Sequence, residues 1–408
     1  MTAAWSAPPL SRLARQSEIG PIGQKLGENN GESRFVARLA NYPDWLYKEY
    51  SSAVTIQENK RLDELIMLPR MMSTPDRTLV ESNTAWPAVR VINDRRQTTG
   101  VLMPFAPERY HADLRVSGGR SRRKVLLVDQ LALPPAEQQR ILPTQSLADR
   151  IAVCASVAAV GALFERHQLV YLDWSYANIF WSLTDHSCFV IDMDGSSFGP
   201  RPQIESPSWE DPLVPLGSTA GNESDRYRVA LLIARCLTGM RTVADTRAAL
   251  HALRRGRSAA VERVAELLIL SLTARTAGER PSVERIRAAL NDANMPGASA
   301  TSSETTSVRA WKPLTPKTTP TRPAPSPVRP QRGAPTTPGS APPPAPKPVR
   351  PTPPSTPPVF KPTGTYQRPS TSAARSPQRP QKSSGGGKVA AAIAVGIILL
   401  ILLIVLLG

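Results

Sequence analysis

From about Ala298 to Gly387 the chain is built from Pro, Thr, Ser, Ala, Lys and Arg, with few large apolar residues. Such a stretch cannot bury enough apolar surface to offset the entropy of ordering it, so it is expected to stay unfolded. Any folded core of this 408-residue chain is thereby confined to roughly residues 15–295, one large domain or two small lobes. Prolines without a fixed period, as in PAPSPVRP and APPPAPKPVRP, favour extended polyproline II. Residues 296–388 are therefore expected as a semi-rigid basic linker. Thr-Pro and Ser-Pro pairs recur along it, at Thr315, Thr319, Ser326, Thr337, Thr352, Thr356 and Ser376.

Behind the linker, Val389 to Leu407 is a run of 19 residues without a charge. At about 1.5 Å per residue it spans a hydrocarbon core of ~30 Å, so 389–407 is expected as a transmembrane helix. Lys388 and the basic linker stand directly before it, which by the positive-inside rule keeps the preceding chain in the cytoplasm. The amino terminus has no apolar signal segment, and residues 1–18 read as a flexible leader. The expectation is a chain held at the plasma membrane by its carboxyl end, without an external sensor domain.

The formal net charge is +17, but fourteen of the 50 Lys and Arg and only one of the 33 acids, Glu304, lie after residue 300. The folded part therefore has an ordinary charge balance. The basic linker lacks interleaved aromatics, which argues against a specific nucleic-acid partner and for anionic lipid headgroups. Cys154, Cys188 and Cys236 are too few and too scattered for a disulfide scaffold or a zinc site, and each sits in or beside an apolar run.

Within the core, short β-like runs (RFVARL, AVRVI, GVLMPF) surround one helical stretch, TIQENKRLDELIMLPRMM. After about Gln145 helical periodicity dominates. SLADRIAVCASVAAVGALFERH offers Ser146 as N-cap with Asp149 three residues on. SDRYRVALLIARCLTG is expected to open at Ser224 and close at Gly239, and VERVAELLILSLTA and SVERIRAALNDA add two more helices. Between the first two lies a hairpin, NIFWSL and CFVID around a turn at Thr184, Asp185 and His186. The fold class is α+β: a β-rich half, then a larger helical half, with a ligand cleft expected between them.

The hairpin is flanked by the polar groups that carry chemistry. YLDWSYAN places Asn178 five residues after Asp173, and IDMDG places Asp192 directly after the apolar strand CFVI, with Asp194 as the alternative. Three such groups could converge on one metal and one reacting hydroxyl. In this order the motifs resemble bacterial protein kinases of the eukaryotic type, over about residues 19–293. The resemblance implies a bilobal protein kinase-like fold, with an N-lobe of about 19–104 and a C-lobe of about 105–295. It implies ATP as phosphoryl donor, Asp173 as catalytic base, and Asn178 and Asp192 as ligands of Mg2+ or Mn2+.

The front half adds further parts on the same resemblance. IGPIGQKLGENNGESRFV is similar to a degenerate glycine-rich loop, with Gly27 and Gly31 on the phosphate side and Asn29 where a second glycine would fall. Lys48, in DWLYKEY, resembles the lysine that holds the α and β phosphates, with Glu64 as its ion-pair partner and Glu58 as the alternative. LMPF, 102–105, resembles the hinge strand, placing Met103 against the adenine. Trp209-Glu210-Asp211-Pro212 resembles the end of an activation segment. Asp225 of SDRY would brace the catalytic loop, and Arg280 of ERPS would pair with an acid like Glu210.

Two departures qualify the resemblance. Tyr171 and Leu172 replace the usual His-Arg, which removes a docking cation for an activation-loop phosphate. Ser175 stands where serine/threonine kinases usually carry the lysine that meets the γ-phosphate. The function implied is a membrane-tethered protein serine/threonine kinase acting on cytoplasmic proteins and on its own linker. The alternative is a pseudokinase or nucleotide-binding scaffold recruiting partners at the membrane, and a third reading is a small-molecule phosphotransferase. The phosphoacceptor, the activating signal and whether the chain forms a homodimer are left open.

Overall fold

The computed structural model describes residues 4–295, apart from 29–31, 53, 117–119, 204–206, 216 and 256. The expected linker, the expected membrane helix 389–407 and Gly31 lie outside the described residues.

Apolar alternation in the front half becomes one mixed sheet. Its strands are β1 (Leu13–Arg15), β2 (Ile22–Glu28), β3 (Ser33–Leu39) and β4 (Trp45–Tyr50), then, after helices α1 (Ile56–Met67) and α2 (Thr74–Asn83), β5 (Val89–Ile92) and β6 (Thr98–Pro104). The strand order is β1-β5-β6-β4-β3-β2, antiparallel throughout except for the parallel pair β1–β5. The expectation of a flexible leader is corrected over its described part. Trp5 is buried and its indole N–H donates to the Ile66 carbonyl at 2.9 Å, while β1 completes the sheet edge. A large aromatic with its polar edge satisfied is enough to anchor a short terminal segment.

Helix α1 starts at Thr55, whose hydroxyl accepts from the Glu58 N–H while the Glu58 carboxylate accepts from the Thr55 N–H. It gives way to a short 3-10 turn containing Pro69, which cannot donate to a continuing helix. Helix α2 was not legible in its polar sequence, although Ser73 caps it and Pro75 sits in its first turn.

The rest is mainly helical. A hairpin of β7 (His111–Arg115) and β8 (Ser121–Val125) leads to α3 (Val128–Leu131), α4 (Pro135–Ile141) and α5 (Leu147–Arg166). Short strands follow: β9 (Leu169–Val170), β10 (Ile179–Trp181), β11 (Cys188–Val190), β12 (Ser197–Phe198), β13 (Arg201–Pro202) and β14 (Thr219–Ala220). Helices α6 (Asn222–Thr238), α7 (Val243–Arg254), α8 (Ala259–Thr273) and α9 (Val283–Asn294) complete the order. The molecule is thus α+β, an N-terminal sheet followed by a helical part.

Helix α5 is apolar on all sides because it is the central helix of that part, packed against α6 and α9. Among the described helices only α5 is long and apolar enough to cross a membrane, and its own fold buries most of it. Its Ser146–Asp149 capping box forms as expected, and Gly239 ends α6 in the left-handed region at φ 69°. Helix α6 opens two residues earlier than Ser224. The Ser224 hydroxyl is buried in the first turn and donates to Asp211 at 2.8 Å instead of capping. All three cysteines are buried free thiols.

One glycine fixes strand spacing beside the site. A Cβ at Gly100 of β6 would overlap the Lys48 carbonyl oxygen and lie 2.8 Å from the Tyr47 ring, whereas one at Gly27 meets nothing within 4 Å. Gly100→Ala is expected to push β4 off β6 and lower the melting temperature by roughly 2–8 °C. Gly27→Ala should change it little. Calorimetric scans of the two variants check this, and equal melting temperatures would contradict it.

Candidate active site

The chain leaves β9 into a loop whose backbone is held by a buried acid. Asp225, in the first turn of α6, accepts the N–H groups of Tyr171 at 2.8 Å and Leu172 at 2.7 Å. Arg228, one turn further along α6, donates to the Leu172 carbonyl. Leu172 needs this grip: it is buried at φ 60°, a conformation that costs a branched side chain about 1–3 kcal/mol. Burial pushes the Asp225 carboxyl up to about 6, opposed by the two N–H donors and Arg228. Asp225 thus stands at the loop it was expected to brace.

Asp173 follows directly. Its carbonyl accepts from Ser175 N–H at 2.7 Å and from Asn178 Nδ2 at 3.1 Å, so the loop closes on itself over the five-residue spacing. Asn178 then starts the β10–β11 hairpin, and its carbonyl accepts from Ile191 N–H at 3.0 Å. That bond places Asp192 beside Asn178. The Tyr171 hydroxyl adds a second tie, donating to the Ile191 carbonyl at 2.8 Å. Burial, and then the charge of Asp192, push the Asp173 carboxyl up to about 6. Asp192 itself is left-handed, at φ 56°, so strained backbone flanks both acids.

The sheet supplies a cation to the same place. Lys48 lies on β4 between Val36 of β3 and Val101 of β6, and is only 4% exposed. Its Nζ is 2.9 Å from Asp194 Oδ1 and 3.3 Å from Asp192 Oδ1. Burial disfavours the charged lysine, yet the carboxylates of Asp192 and Asp194 outweigh it and raise the pKa above the ordinary value. Tyr50, two residues along the strand and so on the same face, donates its hydroxyl to Asp194 Oδ2 at 2.9 Å. Both Asp194 oxygens are therefore occupied in a buried site, whereas the Asp192 side chain keeps 41% exposure.

The expected pairing of Lys48 with Glu64 is corrected. Leu62, Leu65 and Ile66 form the buried stripe of α1, and Glu64 falls off it onto the exposed side. There its carboxylate lies 3.8 Å from Lys60, one turn back. Glu58, the alternative, caps its own helix. What α1 presents to the loop is Arg61, which donates to the carbonyls of Asp194 at 2.7 Å and of Ser196. Arg201 similarly donates to the Gly195 carbonyl. The only sequence signal for Asp194 was the second acid of IDMDG.

Met103 lies on β6 opposite Leu46 and is buried with Leu62, Val101, Ala106, Tyr110 and Phe189. Partly buried Phe180 and Ile191 join that cluster, which therefore runs from the sheet onto the hairpin. Gly27 is half-buried on β2, paired with Val36. Met103 thus lies in the strand expected of it, whereas Gly27, expected in a glycine-rich loop, lies within β2. A cavity of about 690 Å³ opens instead at the β1–β5 edge, lined by Leu13, Arg15, Arg90, Asn93 and Arg96, none of which belongs to this cluster.

Behind the site, Arg280 pairs with Asp211 at 2.5 and 2.6 Å, both side chains almost fully buried. The expected partner was Glu210, one residue earlier. The cation selects Asp211 because that is the acid turned inward, where Ser224 also meets it.

Among the described residues no group of three or more His, Cys, Asp or Glu could hold a metal ion. Asn178 and Asp192 supply one amide and one accessible carboxylate, and the Asn178 Nδ2 is committed to the Asp173 carbonyl, which leaves its Oδ1 as acceptor. So sparse a set fits Mg2+ or Mn2+ that keeps waters and shares itself with phosphates, not a resident metal cage.

No family model matches this chain, and no curated protein matches it significantly.

Proposed function

We propose that the chain is a membrane-tethered, ATP-dependent protein kinase of the bilobal protein kinase-like fold, with the sheet as N-lobe over about 19–104 and the helical part as C-lobe over about 105–295. One observation carries the reading. A buried lysine from the sheet and an Asp–Asn–Asp set from the helical part meet at one place, with Lys48 Nζ 3.3 Å from Asp192. Phosphoryl transfer asks for this kit: a positioned cation for phosphate, acids for a metal, and a carboxylate for the acceptor hydroxyl.

In this reading Asp173 accepts the proton of a serine or threonine hydroxyl, and its raised pKa brings it toward the range where a base works near neutrality. Lys48 turns from the carboxylates to the α and β phosphates. Asn178 and Asp192 would hold Mg2+, which supplies charge neutralisation on the phosphates. The Met103 strand would meet the adenine, and Gly27 and Gly31 would border the phosphates. The 389–407 helix would hold the chain at the inner face of the plasma membrane, with the basic linker against lipid and its Thr-Pro and Ser-Pro sites open to self-phosphorylation.

Ser175, in place of a phosphate-facing lysine, favours one second reading, a pseudokinase that binds nucleotide and recruits partners. Both readings require nucleotide binding. At a hundredfold excess over Kd, ATP with Mg2+ is expected to stabilise the full chain by about 2.7 kcal/mol, a rise of several degrees in melting temperature. Lys48→Ala should shrink that rise by more than half. An unchanged melting temperature at millimolar ATP would overturn both readings.

A further inference from the structure

We propose that Asp194, not an acid of helix α1, is the positioning residue that holds Lys48 for the nucleotide, and that α1 acts on the site through Arg61. The assignment rests on the phosphotransfer reading above and identifies how its phosphate-facing cation is oriented.

A long flexible lysine needs a fixed counter-charge if its ammonium is to wait in one place. Asp194 meets that need in three ways. It is buried to the same degree as Lys48, with 5% side-chain exposure on each partner, so water does not screen the 2.9 Å pair. Its second oxygen is taken by the Tyr50 hydroxyl at 2.9 Å, which fixes the carboxylate plane from the strand that carries Lys48. Its own carbonyl, and that of Ser196, are held by Arg61.

Asp192 touches the same ammonium at 3.3 Å, but it is open to solvent and stands next to Asn178. The two acids of IDMDG thus divide the work: Asp192 faces the metal and Asp194 faces the lysine. Helix α1, which offers neither Glu64 nor Glu58 to Lys48, is coupled to the site by its grip on the loop backbone. A shift of α1 would move Asp194, and with it Lys48.

The test is steady-state kinetics of the full chain at saturating Mg2+, with ATP varied. Asp194→Asn is expected to raise the KM for ATP roughly ten- to hundredfold, with a smaller effect on kcat, because a buried charge-assisted bond is lost. Tyr50→Phe should raise it severalfold, and Glu64→Gln, remote from the ammonium, should stay within twofold of wild type. The decisive sign is non-additivity: in a Lys48→Ala background, Asp194→Asn should raise KM no further. A general structural lesion would add to the loss. If Asp194→Asn fails to fold, Tyr50→Phe in the two lysine backgrounds gives the same comparison. Additive effects, a Glu64→Gln defect larger than that of Asp194→Asn, or an Asp194→Asn defect cured by more Mg2+ would overturn the assignment alone. A wild-type chain that neither binds nor turns over ATP would overturn it together with the reading beneath it.

Discussion

Replacing Asp173 by Asn is expected to lower phosphoryl transfer by roughly 10²–10⁴-fold while leaving the fold and nucleotide binding in place. The range is that of a general base removed from a site otherwise intact. The substitution is nearly isosteric. The loop depends on the Asp173 carbonyl, which accepts from Ser175 and Asn178, and not on the side chain, so its geometry should survive. Removing a half-buried carboxylate close to Asp192 also relieves repulsion, so the melting temperature should hold or rise slightly. The measurement is kcat/KM beside a thermal scan. A variant as active as wild type would remove Asp173 from the chemistry, and one that melts early would make the loss structural.

The largest effect on stability is expected at Arg280 and Asp211. Truncating either one leaves the other charge buried and unpaired, at a cost of about 3–5 kcal/mol. Arg280→Ala and Asp211→Ala should each show this in urea unfolding at neutral pH, and the double variant should cost less than their sum. A pH dependence follows. Burial raises the Asp211 carboxyl, but hydrogen bonds from Arg280, Leu213 and Ser224 outweigh it and hold its pKa below the ordinary value. A carboxylate depressed in the folded state adds stability above its unfolded pKa of about 3.9, and that stability is lost as the pH falls through the folded value. Wild-type unfolding free energy should therefore drop more steeply below pH 4 than that of Asp211→Asn. Parallel curves would show that the pair does not couple to protons.

What the sequence made legible was local. Asp173, Asn178 and Asp192 could be placed because one loop and one hairpin join them, and the hairpin's two short apolar runs are separated by a polar turn. Ser146 and Gly239 could be placed because caps obey rules a few residues long. The partner of Lys48 was not legible, since 146 residues separate it from Asp194 and packing alone decides which acid reaches the ammonium. Glu64 is as good a candidate by spacing, but the apolar stripe of α1 turns it away.

The same limit explains Arg280, which takes Asp211 over its neighbour Glu210 because only one of two adjacent acids points inward. It explains β1 as well, whose three residues carry no pattern until β5 offers an edge. Helix α2 is polar and short, and only its Ser73 cap and Pro75 marked it.

Phosphate transfer by this cluster is tested most directly by incorporation of label from γ-labelled ATP with Mg2+ by the full chain. Labelled serine or threonine is expected, on the chain's own linker or on an added protein, at a rate that Asp173→Asn and Lys48→Ala each lower roughly a hundredfold or more. A folded wild-type chain that incorporates no label, or an Asp173→Asn variant that incorporates it at the wild-type rate, would contradict phosphoryl transfer by this cluster.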